Sequence, residues 1–287
     1  MSYNVTLFGL KFTLSPVAFT IPLGSKHWDI YWYGIIIAAG FLLALIYGLK
    51  KAGRYGLNPD KMLDVILVAT PVAILSARAY YVIFDGEKLD GIKDFFGFGN
   101  SSGFAGLAIY GGVIGAFVSG GIMCYIRKVN ILNMFDVASA GFLIGQGIGR
   151  WGNFINREAF GAQTDIFCRM GLTVPGFETL YVHPTFLYES LWNFVGLIAL
   201  HIWSKKGKRK YDGQIFWLYI LWYGLGRAWI EGLRTDSLYI GTTDIRVSQL
   251  LAAVSAIAAL VVLIINAKKQ HRPEDLFVNL KKGEDNG

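Results

Sequence analysis

The sequence predicts an all-α integral membrane protein with seven transmembrane helices and a small extracytoplasmic head. Of its 287 residues, 54% are hydrophobic and 16% are charged, whereas soluble chains usually carry about 25% charged residues. A bilayer core about 30 Å thick needs about 20 mostly apolar residues per helix. Seven segments approach that length, namely 31–49, 62–84, 107–126, 132–149, 186–203, 214–230 and 248–266.

The basic residues predict the orientation of these helices. Cationic runs occur at 50–61, 127–128, 205–210 and 268–269, which all fall on one side of a seven-span chain. Because Lys and Arg accumulate in cytoplasmic loops, we expect the N-terminus outside and the C-terminus in the cytoplasm. The net charge of +7 is then explained by membrane topology rather than by nucleic-acid binding.

The same topology divides the chain into three parts. We expect a single membrane domain over 1–267, with an extracytoplasmic head inserted at 150–185 and a frayed, polar cytoplasmic tail at 268–287. The outer face also receives the segments 1–30, 85–106 and 231–247. Two polar clusters therefore fall at the outer face, where no ATP is available.

The first polar cluster is the run GRWGNFINREAFG at 149–161. Charged side chains at the end of an apolar segment are costly near lipid, so such a cluster is functional by default. The density of glycine and asparagine predicts a break in the helix around Arg150. Asn153 and Asn156 either hold hydroxyl or ester oxygens or cap the broken backbone, and Glu158 is the nearest partner in sequence for Arg150.

The second polar cluster is the run YGLGRAWIEGLRTD at 223–236. Tyr223, Arg227, Glu231 and Arg234 share one face of a helix. Arg227 either pairs with Glu231 and extends to the membrane surface, or joins Arg150 in binding a shared anion. A phosphate fits that anion best, because a guanidinium binds phosphate oxygens with two parallel hydrogen bonds.

Other residues have two interpretations each. Tyr33, at the start of the first span, belongs either to an interfacial aromatic belt or to the site. His183 is either a general base or a plain surface histidine. Gly111 and Gly112 follow Tyr110 where a span begins, and they either pack helices or let a lipid headgroup approach the backbone. Arg78 and Asp136 are interpreted as structural countercharges.

The sequence favours neither a metal nor a cofactor. The four histidines lack the spacing of metal ligands, and there is no phosphate-binding loop. Cys124 and Cys168 are expected on opposite sides of the bilayer and therefore unpaired.

The run at 149–161 resembles the signature of the phosphatidylglycerol:prolipoprotein diacylglyceryl transferase family. Shorter runs in the family's order extend the resemblance over nearly the whole chain: WYG at 32–34, YGG at 110–112, HPTFLYE at 183–189 and YGLGRAWIEGLR at 223–234. The resemblance implies a bacterial cell-membrane enzyme with its site facing outward. Its implied partners are membrane lipid, phosphatidylglycerol and the lipobox peptide of a preprolipoprotein, and its by-product is glycerol 1-phosphate.

The resemblance also implies roles for individual residues. Arg150 and Arg227 match the essential arginines that contact phosphate. Further functional positions are matched by Tyr33, Asn153, Glu158, Gly161, Tyr223, Glu231 and Arg234, with Gly111 and Gly112 also expected to contact the lipid. Some members carry a proposed catalytic histidine where this chain has Tyr110. Tyr110 and His183 are therefore both candidates for the residue that accepts the thiol proton.

Two rival functions are a lipid transporter and a purely structural seven-helix protein. A transporter predicts polar residues along the whole path through the membrane, whereas the charges here cluster in the outer half. A purely structural role does not explain the density of polar residues at 149–161. The sequence therefore favours an enzyme.

Overall fold

The computed structural model describes a mostly helical chain that forms two compact units. The described residues are 3–23, 26–85, 95–96, 106–174, 176–241 and 243–284. The first unit comprises Met1–Gly48 and Phe135–Leu276, and the second comprises Leu49–Met134 and Phe277–Gly287.

Each of the seven segments predicted to span the membrane contains a helix. These helices are α1 (Trp32–Lys51), α2 (Pro59–Asp85), α3 (Ile109–Arg127), α4 (Ile131–Asn156), α5 (Thr185–Lys205), α6 (Gln214–Ile230) and α7 (Val247–Lys268). Within the described part of the chain, five of them are long and apolar enough to cross a bilayer, namely α1, α2, α3, α4 and α7. The other two helices do not meet this standard. α6 has only 17 residues, and α5 carries polar side chains such as Glu189 and Asn193 among its apolar residues.

The expectation of an all-α chain is wrong, because the first unit contains two antiparallel sheets. The larger sheet has the strand order β2-β1-β5-β6. Its strands are β1 (Tyr3–Leu7), β2 (Leu10–Leu14), β5 (Met170–Thr173) and β6 (Leu180–Val182). Val5 of β1 lies opposite Phe12 of β2 and Leu172 of β5. The first residues of the chain thus form one sheet with the predicted head segment.

The second sheet is a hairpin that leads into the first helix. β3 (Val17–Leu23) pairs with β4 (Lys26–Tyr31), and α1 begins at the next residue. The backbone N–H of Trp32 donates to the carbonyl of Pro16 at 2.9 Å, which closes the base of this hairpin.

A hydrophobic core attaches the larger sheet to the helices that carry the polar clusters. Its members are Val5, Leu7, Phe154, Met170, Leu172, Val182, Phe186 and Leu187. Phe154, near the end of α4, and Phe186, at the start of α5, meet with ring centroids 4.7 Å apart. The sheet therefore fixes the end of α4 next to the start of α5.

The predicted helix break around Arg150 is also wrong, because α4 continues to Asn156. A glycine inside a helix costs about 1 kcal/mol relative to alanine, and Gly152 incurs that cost here. Burial of Phe154 contributes about 2–3 kcal/mol, which outweighs it. The helix ends at Asn156, and Arg157 and Ala159 beyond it adopt left-handed backbone angles with φ of 56° and 57°.

The second unit is built on the pair α2 and α3. A Cβ on Gly111 would lie 2.3 Å from the Cβ of Tyr80 and 2.4 Å from the carbonyl oxygen of Ser76. The close packing of these helices therefore requires glycine at this position. Arg78 is buried in this unit and donates to the backbone carbonyls of Phe95 and Gly106.

The tail is more ordered than predicted. Helix α8 (Phe277–Glu284) forms within it, and a Cβ on Gly56 would lie 2.8 Å from the Cα of Val278. The tail therefore packs on the turn that follows α1 instead of fraying. Most of the loop predicted at 85–106 lies outside the described residues.

Candidate functional site

The carboxylate of Glu189, in the second turn of α5, is shared by three arginines. Its Oε2 forms an ion pair with Nη2 of Arg150. Its Oε1 lies 2.9 Å from Nη1 of Arg227 and 3.7 Å from Nη1 of Arg234. The Glu189 side chain is only 5% exposed. The two arginines that the sequence assigned to a shared anion thus meet at one buried carboxylate.

Three helices bring these groups together. Arg150 lies in the last two turns of α4, and Arg227 lies in the last turn of α6. Glu189 faces both from the start of α5. Arg234 follows the short 3₁₀ turn Glu231–Leu233 that ends α6 and has an extended backbone, so the prediction that it continues the helical face of Tyr223 and Arg227 is wrong. We call Arg150, Arg227, Arg234, Glu189 and Glu231 the arginine cluster.

Glu231 is the second buried carboxylate of the arginine cluster. Its Oε2 lies 2.7 Å from Nη2 of Arg227, so the i, i+4 pair that the sequence offered as one of two alternatives for Arg227 does form. Its Oε1 accepts a hydrogen bond from the Ser237 hydroxyl at 2.9 Å. Its backbone carbonyl accepts a hydrogen bond from Nη1 of Arg246 at 2.7 Å. These bonds hold the end of α6 against the loop that leads to α7.

Asp236 binds Arg234 through two parallel hydrogen bonds. Nε and Nη2 of Arg234 donate to the two carboxylate oxygens at 2.9 and 2.8 Å. These bonds hold the pKa of Asp236 below its ordinary value. Burial lowers the pKa of Arg234, but the hydrogen bond and negative charge of Asp236 outweigh that effect and raise it. Asp236 therefore fixes the orientation of the Arg234 guanidinium at the edge of the cluster.

The charges in and around the arginine cluster balance, with three guanidinium groups facing Glu189, Glu231 and Asp236. Buried ions are costly unless they are paired and hydrogen-bonded, so the cluster is stable only as a whole. A guanidinium has five N–H donors. Arg227 shares its donors between Glu189 and Glu231, and Arg150 shares its donors between Glu189 and Asn153. Binding of a further anion by this pair remains a prediction.

The amides of the first polar cluster connect Arg150 to Glu158. Nη1 of Arg150 donates to Oδ1 of Asn153 at 3.2 Å. Nδ2 of Asn153 and of Asn156 donate to Oε1 of Glu158 at 2.9 and 3.2 Å. The expectation that Glu158 is the direct partner of Arg150 is thus wrong, because Glu189 takes that place. The two asparagines do not cap a broken helix, since α4 is continuous there.

Gly161 lies where three parts of the chain meet. Its N–H donates to the carbonyl of His183 at 2.9 Å, and Gly161 forms an isolated antiparallel bridge with Arg234. A Cβ at this position would lie 2.7 Å from the Cβ of His183 and 2.8 Å from the carbonyl oxygen of Leu233. Only glycine fits without moving the backbone next to Arg234.

His183 is held beside the arginine cluster by its backbone and its ring. Nδ1 of His183 lies 3.2 Å from the hydroxyl of Tyr188. That hydroxyl also lies 3.7 Å from Sγ of Cys168. Cys168 and Cys124 are both free thiols, as the sequence predicted. The backbone of His183 also lies beside Gly161, which bridges to Arg234 of the arginine cluster.

Tyr33 packs on α4 and Tyr223 lies on α6, the helices that carry Arg150 and Arg227. The ring of Tyr33 covers Gly152, where a Cβ would lie 2.5 Å from Tyr33 Cδ2. Tyr223 lies one turn before Arg227 on α6 and stacks on Tyr219 with centroids 5.8 Å apart. Both tyrosines thus flank helices that carry an arginine of the cluster.

Tyr110, Gly111 and Gly112 lie in the second unit, in the first turn of α3. Tyr110 is exposed, and Gly111 is buried against α2. Helix packing is therefore one role of Gly111. The participation of these three residues in the site remains a prediction.

Glu189 is the principal residue of the cluster that sequence reasoning missed as a site residue. The available signal was a glutamate inside an apolar helical segment, which is a functional hypothesis by default. Asp236, Ser237 and Arg246 were also missed. Among the described residues, no group of three or more His, Cys, Asp or Glu side chains is placed to hold a metal ion.

Comparison with known proteins agrees with the sequence motifs. A sequence model described as prolipoprotein diacylglyceryl transferase matches residues 16–265. A Bacillus cereus (strain G9842) protein named phosphatidylglycerol–prolipoprotein diacylglyceryl transferase is 41% identical over 253 residues, covering 83% of this chain and 88% of the relative. Proteins of the same name from Bacillus cereus (strain B4264) and Bacillus anthracis (strain CDC 684 / NRRL 3495) are 40% identical over the same shares of both chains. The chain belongs to the prolipoprotein diacylglyceryl transferase family.

Proposed function

We propose that this chain transfers the diacylglyceryl group of phosphatidylglycerol to the lipobox cysteine of a preprolipoprotein and releases glycerol 1-phosphate. This transfer is the first step of bacterial lipoprotein maturation. Membership of the family supports the reaction. The observation that carries the proposal is the convergence of Arg150 and Arg227, from separate helices, on the buried carboxylate of Glu189.

We propose that all seven long helices cross the bacterial cell membrane, with the arginine cluster at the extracytoplasmic face. The cationic runs 205–210 and 268–269 support this orientation. They follow the C-terminal ends of α5 and α7, whereas Arg227 lies at the opposite end of α6 from the first run. The chain's N-terminus is then outside, and its C-terminus is in the cytoplasm.

The proposed reaction is a displacement at carbon. The cysteine thiolate attacks the glycerol carbon of the diacylglyceryl group that bears the phosphate oxygen, and a C–S bond forms as the C–O bond breaks. The electron pair leaves with the phosphate oxygen, and the thiol proton goes to a base. Because a free thiol has a pKa of about 8.5, a modest activation suffices to form the thiolate.

Arg150 and Arg227 are proposed to bind the phosphate of the lipid. The phosphate gains a negative charge as glycerol 1-phosphate leaves, and two fixed guanidinium groups stabilise that charge. Glu189 is proposed to orient both arginines before lipid arrives, because it accepts from each of them. A pre-oriented pair of donors does not have to reorganise as the bond breaks.

The remaining predicted residues are proposed to surround the lipid headgroup. Asn153 and Glu158 extend from Arg150 through hydrogen bonds, and Gly161 lets the backbone approach Arg234. The further headgroup residues in this proposal are Tyr33, Gly111, Gly112, Tyr223, Glu231 and Arg234. Their polar groups and small residues suit a headgroup that carries hydroxyl and ester oxygens.

Two residues are proposed as alternatives for the base that accepts the thiol proton, Tyr110 and His183. The position of His183 next to Tyr188 supports the second alternative. The test compares Tyr110→Phe and His183→Ala in a pH–rate series. Loss of turnover together with a changed pH profile in one variant identifies the base. Normal turnover in both variants indicates proton transfer to the lipid itself.

The reaction is tested with the full-length protein in phosphatidylglycerol vesicles and a synthetic lipobox peptide. We expect the peptide to gain the mass of a diacylglyceryl group on cysteine, with equimolar release of glycerol 1-phosphate. A peptide with serine in place of cysteine is the matched control. An unchanged peptide mass together with movement of lipid between leaflets would favour a lipid transporter instead.

A further inference from the structure

α5 and α6 are joined by two tryptophans that bind each other reciprocally. The rings of Trp192 on α5 and Trp222 on α6 stack with centroids 4.4 Å apart and planes inclined by 19°. The indole N–H of each donates to the backbone carbonyl of the other, both at 2.9 Å. We call this arrangement the tryptophan interlock.

Each ring of the interlock lies on a glycine of the facing helix. A Cβ on Gly226 of α6 would lie 2.2 Å from Nε1 of Trp192. A Cβ on Gly196 of α5 would lie 2.4 Å from Nε1 of Trp222. Two rings, two glycines and two reciprocal hydrogen bonds together fix the distance, rotation and axial register of the two helices.

The reciprocal bonds set this contact apart from ordinary aromatic packing. A buried indole N–H usually finds a partner, because an unpaired donor in an apolar environment is costly. A shift of α5 along α6 would break both bonds at once. The interlock thus favours one register, whereas stacked rings alone would tolerate several.

The interlock lies directly beside the arginine cluster. Trp192 is three residues after Glu189 on α5, and Gly226 immediately precedes Arg227 on α6. Glu189 and Arg227 form the ion pair between the same two helices, at 2.9 Å. Trp229 extends the contact, because its ring lies against both Trp192 and Tyr188.

We propose that Trp192 and Trp222 are positioning residues of the transferase, which set the register at which Glu189 meets Arg227. The catalytic part of this inference rests on the proposed function. The interlock acts through Arg227 and does not itself touch the lipid. Its essential element is the pair of hydrogen bonds that the two indole N–H groups donate. Phenylalanine has an aromatic ring but no such donor, so it cannot replace tryptophan.

The kinetic test uses Trp192→Phe, Trp222→Phe and the double variant of the full-length protein in phosphatidylglycerol vesicles. We expect kcat to fall by about tenfold, since small misplacements of catalytic groups are costly, with KM for the lipobox peptide unchanged. The kcat of the double variant should be about the same as that of either single variant, because the two substitutions disrupt one contact. The matched controls are Trp203→Phe on α5 and Trp217→Phe on α6, which lie outside the interlock and should retain wild-type kcat.

A second variant pair tests the same register without removing an indole. Gly226→Ala drives a methyl group into Trp192, whereas Gly145→Ala on α4 places its Cβ where no atom lies within 4 Å. We expect Gly226→Ala to reduce kcat by at least as much as Trp192→Phe, and Gly145→Ala to leave it unchanged.

A stability cycle separates this inference from the proposed function. If the interlock positions Arg227, the effects of Trp222→Phe and Arg227→Gln on the unfolding midpoint are non-additive, whereas those of Trp217→Phe and Arg227→Gln are additive. An inactive wild type with that coupling would overturn the transferase reaction and keep the interlock. An active wild type whose interlock variants match the controls in kcat would overturn the positioning role, even if their melting temperatures fell.

Discussion

α6 has a buried ionic cluster at each end, and the two clusters are built differently. At its start, Asp136 of α4 is completely buried and accepts the backbone N–H groups of Gly213 and Phe216, both at 2.9 Å. Nη1 of Arg209 lies 3.1 Å from the same carboxylate. At the other end of α6, every bond that Glu189 makes to its arginines is between side chains.

This difference separates a structural role from a chemical one. The first N–H groups of a helix have no partner within the helix, and Asp136 satisfies two of them. Such backbone donors cannot turn toward a ligand. The guanidinium groups around Glu189 have N–H donors that are not fixed by the backbone. We therefore propose that buried charge at the start of α6 stabilises the fold, whereas buried charge at its end serves to bind the lipid phosphate.

The largest expected effect tests the structural half of this comparison. We expect Asp136→Asn to reduce the free energy of unfolding by about 3 kcal/mol, because it removes the charged carboxylate nearest to buried Arg209 and leaves Asp212, 3.5 Å away, to balance that charge. Turnover per folded molecule should change little. Chemical unfolding in detergent, together with the rate normalised to folded protein, measures both quantities.

An exposed ion pair provides the control for that measurement. The side chain of Asp165, which pairs with Arg169, is 98% exposed. Asp165→Asn should change the free energy of unfolding by less than about 1 kcal/mol. Equal losses for Asp136→Asn and Asp165→Asn would contradict the structural role of Asp136.

The next effect tests the chemical half of the comparison. We expect Arg150→Lys and Arg227→Lys to lower kcat by about 100-fold, nearly as much as alanine does, because a point charge does not replace the two-pronged guanidinium. Arg209→Lys, at the start of α6, should retain wild-type turnover per folded molecule. Near-normal turnover in the Arg150→Lys variant would argue against binding of the phosphate by this pair.

A smaller effect is expected when the shared carboxylate becomes neutral. Glu189→Gln keeps the shape of the side chain but removes the negative charge that balances the guanidinium groups of Arg150 and Arg227. We expect kcat to fall by about tenfold, since the arginines lose their fixed orientation, together with a lower unfolding midpoint. A variant that loses stability but keeps full kcat would place Glu189 with Asp136 as a structural residue.

The smallest effect concerns the edge of the arginine cluster and depends on pH. Hydrogen bonds from Arg234 depress the pKa of Asp236 in the folded chain, and an unperturbed aspartate has a pKa of about 3.9. The ionised carboxylate therefore stabilises the fold above about pH 4, and this contribution disappears as the pH falls toward the folded pKa. Thermal unfolding of wild type and Asp236→Asn should differ most at neutral pH and converge below about pH 4.

The long helices were predictable because the apolar segments that specify them are local. The strands were only partly predictable from local sequence. The β1–β2 turn is Phe8–Gly9, with φ of 50° and 79°, and a two-residue turn ending in glycine is a recognisable hairpin signal. The pairing of β1 with β5 had no local signal, because it joins the start of the chain to residues around Leu172.

The contacts of the site were likewise predictable within one helix but not between helices. Helical spacing placed Arg227 and Glu231 on one face, and the structure confirms their pairing. The partner of Arg150 was not predictable in this way, because it depends on how α4 and α5 are rotated against each other. Sequence spacing within one helix does not fix that rotation. Sequence distance therefore favours Glu158, the nearest acid, whereas the packing of α4 against α5 brings Glu189 to Arg150.

The junction at Gly161 has a consequence for biogenesis. Its neighbours in space, His183 and Leu233, belong to parts of the chain that leave the ribosome later. During synthesis, the run GRWGNFINREAFG is therefore made before the groups that complete it. A nascent chain that ends before Arg234 should lack the lipid binding proposed for the arginine cluster, so the proposed activity should appear only after this residue has been added.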